Sequence, residues 1–155
     1  MPGPRYGRRC AAALLVTEAG RYLMQRRDAH AWIDFPEVWA SFGGAIEPEE
    51  TPLAAMRREL VEEIGYAARR IERFTEFRVT MPFAPPRREQ IIFFVVPIAE
   101  SEIPGLVLNE GAGLGLFRPE ELACEAQVAP WDLAAVLMHA RRHSLFRPKA
   151  PRPTG

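Results

Sequence analysis

Three glutamates, Glu59, Glu62 and Glu63, crowd one short stretch of this sequence. On a helix the spacing i, i+3, i+4 brings such carboxylates onto neighbouring parts of one face. Carboxylates this close repel one another unless something positive neutralises them. A hard cation with oxygen ligands, Mg2+ or Mn2+, meets that need. Upstream, Gly43-Gly44 offers a backbone without side chains, which approaches an ion or a phosphate closely and presents carbonyl oxygens to it. Taken alone, the Arg-Glu-x-x-Glu-Glu string at 58 to 63 reads more simply as a solvated helix face, with Arg57 and Arg58 as its counter-charges.

A longer pattern decides between the two. Residues 44 to 66 run Gly-Ala-Ile-Glu-Pro-Glu-Glu-Thr-Pro-Leu-Ala-Ala-Met-Arg-Arg-Glu-Leu-Val-Glu-Glu-Ile-Gly-Tyr. This resembles, without a gap, the Nudix box G-x5-E-x7-R-E-U-x-E-E-x-G-U, where U is a bulky apolar residue. The matching positions are Gly44, Glu50, Arg58, Glu59, Glu62, Glu63 and Gly65, with Leu60 and Tyr66 as the apolar ones. The loop-to-helix context the motif requires is present.

The resemblance implies an α/β/α sandwich, a mixed β-sheet between helices. It implies a hydrolase that splits the diphosphate linkage of a nucleotide-type small molecule with Mg2+ or Mn2+. Glu59, Glu62 and Glu63 match the metal-binding glutamates, one of which serves instead as base in some members. A carbonyl of Gly43 or Gly44 joins the metal shell, and Glu50 and Arg58 match a structural ion pair from loop to helix. The segment Asn109-Glu110-Gly111 looks like the MutT-type loop whose glutamate reaches the metals, so Glu110 is a further ligand or the general base. Arg26 and Arg27 stand where related enzymes place an arginine near substrate phosphate. Trp32, Phe35, Trp39, Phe83 and Trp131 are candidates for stacking on a base, with core packing the simpler reading for each. One departure is Ser41-Phe42 before the glycine pair, where many members carry proline; it argues against the triphosphate-cleaning subgroup more than against membership.

Nucleoside di- or triphosphates are the first substrate reading, and ADP-ribose or a nucleotide sugar the alternative with the same box. A non-catalytic nucleotide-sensing module is the alternative of another class, and the intact glutamate set argues against it. The loops at 28 to 38 and 81 to 89 are the segments expected to decide the substrate. Homodimers are common in the family, although no residue pattern specifies an interface.

The elements that must position these residues are legible in outline. Cys10 to Val16 and Arg21 to Arg26 read as a strand hairpin turned at Thr17 to Gly20, and 28 to 37 as a loop. Trp39 to Phe42 reads as a short strand running into the glycines. Thr51 to Ile64 is the clearest helix, with Thr51 as cap, Pro52 at its first position and Gly65 just past its end. Leu53, Met56, Leu60 and Ile64 form its apolar stripe, distinct from the glutamate face. Ile71 to Thr80 and Gln90 to Ile98 read as strands, the second buried on both faces. Leu106 to Leu108 and Leu116-Phe117 suggest short extended pieces around a glycine-rich loop at 111 to 115. Pro130 to His143 reads as a second helix, with Leu133, Val136, Leu137 and Ala140 on one side.

Composition bounds the rest. The 155 residues suit one domain with a real core, taken as 1 to 147, followed by a proline-rich tail, 148 to 155, expected to be disordered. Twenty basic residues balance 20 acidic ones, so no global field favours extended nucleic acid or an anionic membrane. Cys10 and Cys124 have no metal-ligand spacing, and a reducing cytoplasm is the plain reading. The apolar run Cys10 to Val16 is short for a signal peptide, and no stretch approaches the roughly 20 apolar residues of a membrane helix.

Overall fold

A computed structural model of the protein describes residues 7–125 and 127–145; the proline-rich tail lies outside the described residues. The strands are β1 (Arg8–Val16), β2 (Tyr22–Arg26), β3 (Trp39–Ala40), β4 (Phe42–Ala45), β5 (Glu72–Met81), β6 (Arg87–Pro97) and β7 (Gly113–Phe117). The helices are α1 (Pro52–Ile64), α2 (Pro119–Cys124) and α3 (Pro130–Leu145), with a 3-10 helix at Glu100–Gly105. The strands form one sheet in the order β3-β2-β1-β6-β5, with β4 also paired to β1 and β7 to β2. Only β1 and β6 run parallel among these pairings, so the sheet is mixed.

Side-chain alternation along β1 divides the core in two. Ala11, Ala13 and Leu15 face α1, where they meet Ala55, Met56, Leu60 and Ile64. Ala12 and Leu14 face the other way, toward Leu122 of α2 and Ala135 and Val136 of α3. In β6, Ile92, Phe94 and Val96 join the first cluster, and Ile91 and Phe93 the second. The apolar run of β6 is therefore buried on both faces, and the α/β/α sandwich expected from the resemblance is present.

The caps of α1 are the ones its sequence specifies. The Thr51 hydroxyl accepts from Ala54 N–H at 3.2 Å, and Gly65 turns left-handed at φ 64°. The Gly65 and Tyr66 amides then donate back to the carbonyls of Val61 and Leu60.

Several expectations need correction. Leu53 is 41% exposed, because the core face of α1 runs through Ala55, Met56, Leu60 and Ile64 and leaves the first turn at its rim. Ala140 is exposed too, since α3 turns Asp132, Ala135, Val136 and His139 inward. The stretch from Trp39 to Phe42 is two strands: β3 pairs with β2, and after Ser41 β4 pairs with β1. Leu106 to Leu108 forms no strand, and α2 and the 3-10 helix carry no periodicity long enough to announce them.

The inward face of α3 includes a titratable group. The buried Tyr22 phenol, pushed up to about 12 by burial, shares a hydrogen bond of 2.7 Å with His139 Nδ1. Burial, with a smaller contribution from Arg142, lowers the His139 imidazole to about 4, so it is neutral at pH 7. Protonation is thus easier in the unfolded chain, and the stability this arrangement gives is present above about pH 6.5 and lost as pH falls toward 4. Measured by urea unfolding across that window, wild type should lose stability relative to His139→Gln as pH falls, a difference that isolates the ring from the carboxyls titrating in the same range. In the same measurements at neutral pH, Leu60→Ala is expected to cost about 2–5 kcal/mol and Leu53→Ala less than about 1 kcal/mol.

Candidate functional site

The carboxylates of α1 meet the sheet at the glycine pair. Gly43 has φ 146°, and a Cβ there would lie 2.0 Å from the Ala11 carbonyl oxygen. At Gly44 a Cβ would lie 2.6–2.8 Å from the carboxyl atoms of Glu59. The two glycines let a strand edge and a carboxylate approach more closely than any side chain permits. Gly43 N–H donates to Glu63 Oε2 at 2.9 Å.

Glu63 does not lie on a face separate from the apolar stripe, as the sequence suggested. It is 4% exposed and lies among the buried residues of α1. Burial pushes its carboxyl up to about 8; the charges of Glu59 and Glu110 add to the rise, and bonds from Gly43 and Gln25 oppose it. Glu59 is raised for the same first reason, with Glu62 and Glu110 adding and Arg58 opposing. Glu110 therefore shares the electrostatic neighbourhood of both helix glutamates.

Its loop reaches them by capping α1. Val107 N–H donates to the Ile64 carbonyl at 3.1 Å and Asn109 N–H to the Glu63 carbonyl at 2.8 Å. The Asn109 side-chain amide donates to the Glu62 carbonyl at 2.9 Å. Carbonyls left without partners at the helix end are thereby satisfied, and the residue that follows is Glu110.

Glu50 and Arg58 form the expected pair. The guanidinium donates through Nε to Glu50 Oε1 and through Nη2 to Glu50 Oε2, both at 2.9 Å. Arg58 does more than bridge loop to helix: Nη1 lies 2.7 Å from Glu59 Oε1 and 3.2 Å from Glu62 Oε2, and Nη2 donates to the Ala45 carbonyl. It is the counter-charge of the cluster. Among the described residues no three His, Cys, Asp or Glu side chains are gathered tightly enough to coordinate one ion as they stand. The donor set is nonetheless one that a hard cation takes: carboxylate oxygens of Glu59, Glu62, Glu63 and Glu110, with the carbonyls of Gly43-Gly44 alongside.

On the other side of the glycine pair lies a cavity of about 140 Å³. Phe35, Met81, Ile91 and Trp131 are among its apolar walls, and Arg27, Ser41 and Asp132 among its polar ones. Arg27 Nε is buried there without a hydrogen-bond partner, and the buried Ser41 Oγ faces the Asp132 carboxylate without a well-formed bond to it. Asp132 accepts from Ser41 N–H at 3.2 Å, and burial raises its carboxyl to about 6. Phe35 packs on Phe83 and Trp131, and Arg87, bonded to Asp34 at 2.7 Å, lies over the Phe83 ring. The loops at 28 to 38 and 81 to 89 thus meet at this cavity.

The arginine pair divides: Arg27 lines the cavity, while Arg26 is exposed and 3.5 Å from Glu37. Trp39 packs edge-on against Phe117 and belongs to the interior, whereas Trp32 is 81% exposed and stacks on His30. Sequence reasoning missed Gln25, Ser41 and Asp132. The available signal was polarity out of pattern: a glutamine inside the apolar strand Tyr-Leu-Met-Gln-Arg, and an aspartate on the inward side of α3.

A family model described as the NUDIX domain matches residues 7–139, and the chain belongs to that family. Two characterised relatives resemble parts of it. An 8-oxo-dGTP diphosphatase of Haemophilus influenzae is 37% identical over 73 residues, covering 46% of this chain and 52% of that protein. The nucleoside triphosphatase NudI of Klebsiella pneumoniae is 41% identical over 51 residues, covering 33% of this chain and 36% of that protein. The matched stretches span about half and about a third of those relatives. The solution structure of the E. coli ORF135 protein superposes with a TM-score of 0.70 at 26% identity, covering 96% of this chain and 100% of that one.

The close approach at Gly43 is testable as stability. Gly43→Ala combines an unfavourable φ with a clash on Ala11 and should cost at least about 3 kcal/mol in urea unfolding. Gly20→Ala, at φ 73° with nothing within 4 Å, should cost only about 1 kcal/mol.

Proposed function

We propose that the protein is a divalent-metal-dependent hydrolase of nucleoside di- or triphosphates, cleaving a phosphoanhydride bond by attack of water on phosphorus. The observation that carries this reading is the junction at the glycine pair, where Glu59 and Glu63 press against Gly44 and Gly43 with Glu110 in electrostatic range. Clustered carboxylates, two of them raised by burial and mutual repulsion, are suited to a cation in place of protons. Glu59, Glu62, Glu63 and Glu110 would hold Mg2+ or Mn2+, with a carbonyl of Gly43 or Gly44.

A cation held there supplies positive charge that offsets the phosphate oxygens and eases deprotonation of the attacking water. The residues do the rest. A glutamate oxygen accepts the water's proton within hydrogen-bonding distance. Arg58 prevents the acidic cluster from splaying before substrate arrives, and Glu50 anchors Arg58 in turn. The adjacent cavity, about 140 Å³, is suited to the base end of the nucleoside, with Phe35 and Trp131 among its apolar walls and Arg27, Ser41 and Asp132 offering polar atoms. Arg27 lines this cavity, which supports a substrate contact there.

The names of the two partial relatives, a diphosphatase and a triphosphatase, support this substrate class over ADP-ribose or a nucleotide sugar. The complete glutamate set supports a hydrolase over a non-catalytic nucleotide sensor. The free thiols Cys10 and Cys124 accord with a reducing cytoplasm, and among the described residues no helix is long and apolar enough to cross a membrane.

The test is a phosphate-release screen of nucleoside triphosphates, oxidised nucleotides, ADP-ribose, nucleotide sugars and dinucleoside polyphosphates, each with Mg2+, Mn2+ or chelator. Metal-dependent turnover of a nucleoside triphosphate is the expected result; silence across the panel from a folded protein that binds Mn2+ would point to the sensor instead. In the same assay Glu63→Gln should lose at least about 100-fold in kcat while its melting temperature stays within a few degrees of wild type. Full activity in that variant would refute the site.

A further inference from the structure

Gln25 lies within β2, buried, between Met24 and Arg26. A buried primary amide must find partners for two N–H groups and a carbonyl oxygen. Its Nε2 reaches the Ser41 carbonyl at 3.3 Å and Glu63 Oε1 at 3.4 Å. Its Oε1 points at the turn after Glu110, where a Cβ on Gly111 would come within 3.0 Å of it. The amide thus stands where three segments meet: the Ser41 stretch between β3 and β4, the last turn of α1, and the loop that carries Glu110.

The two oxygens of Glu63 have different partners. Oε2 is held by Gly43 N–H, on the strand that begins one residue after Ser41, and Oε1 by Gln25. The terminal torsion of a glutamate is soft, so a single bond to Oε2 leaves the carboxylate plane free to turn. The second contact, from Gln25 at 3.4 Å, restrains that turning. Ser41 is itself pinned from the opposite side by Asp132, through its N–H. A hydrogen-bonded path therefore runs from a wall of the cavity to Glu63 and passes through one side chain.

We propose that Gln25 is a positioning residue that orients the Glu63 carboxylate and keeps it in register with the cavity wall at Ser41. This rests on the role given to Glu63 under the proposed function. Gln25 contacts no reacting atom in this scheme; it acts through Glu63.

Gln25→Met keeps the length of the side chain and removes its donors, while Gln25→Lys restores a donor at similar reach. Steady-state kinetics on the best nucleoside triphosphate and Mn2+ titration calorimetry would be run on both variants, and on Gln25→Met combined with Glu63→Gln. Gln25→Met should lower kcat about tenfold with KM within about twofold and weaken Mn2+ binding severalfold, while Gln25→Lys, whose donor is a cation beside Glu63, should weaken Mn2+ binding further. In the Glu63→Gln background, Gln25→Met should change Mn2+ affinity no further, because the two act as one unit. Unchanged kcat and Mn2+ affinity in Gln25→Met, or an additive effect in the double variant, would overturn the positioning role. Wild-type protein that binds Mn2+ but hydrolyses nothing would overturn the function reading instead, and the double-variant cycle would then judge Gln25 by itself.

Discussion

A carboxylate removed from water must be compensated where it stands, and Glu63 makes that demand at the centre of this molecule. The Gly43 amide and the Gln25 side chain answer it from the sheet, and the chain around them is shaped so that both can reach. Gly43 adopts a backbone conformation that disfavours a side chain, with its α-carbon packed onto the Ala11 carbonyl. The helix that carries Glu63 is held down by Met56, Leu60 and Ile64, all fully buried. Loosening either side would leave a buried carboxyl with fewer hydrogen bonds than it needs.

Small residues make this closeness possible. The β1 segment Ala11 to Ala13 pairs with Phe42 to Gly44, so a run of alanines lies beside a pair of glycines. Little side-chain volume then separates the glutamate-bearing helix from the strand edge, and Glu59 sits against the Gly44 backbone itself. The same sheet turns its other face toward α2 and α3, where Asp132 reaches Ser41 N–H. The acidic cluster and the cavity are thus built on neighbouring residues of one strand edge, which gives the proposed phosphate and nucleoside ends a common frame.

Charge organises the periphery in a similar way. Arg58 gathers Glu50, Glu59 and Glu62 around one guanidinium, whose fork geometry suits several carboxylates at once. Asp34 and Arg87 join the two loops flanking the cavity, and Phe35 and Phe83 pack together beneath that pair. The Glu110 loop is secured by the end of α1 through Asn109, so its position depends on helix geometry more than on its own length.

The sequence by itself determined the parts that local chemistry dictates. The caps of α1, the hairpin of β1 and β2 and the doubly buried β6 follow from propensity and periodicity within one segment, and the set Glu50, Arg58, Glu59, Glu62, Glu63 and Gly65 was legible through its resemblance to the Nudix box. Tertiary structure decided what depends on residues far apart in the chain. Leu53 falls outside the core because burial is set by where α1 meets the sheet, and periodicity cannot locate that edge. Glu63 is buried because Gly43, 20 residues earlier, comes close enough to donate to it. Gln25, Ser41 and Asp132 acquire a shared role only when β2, the β3–β4 junction and α3 converge, and hydrogen bonds across 16 and 91 residues leave no periodic mark in a sequence.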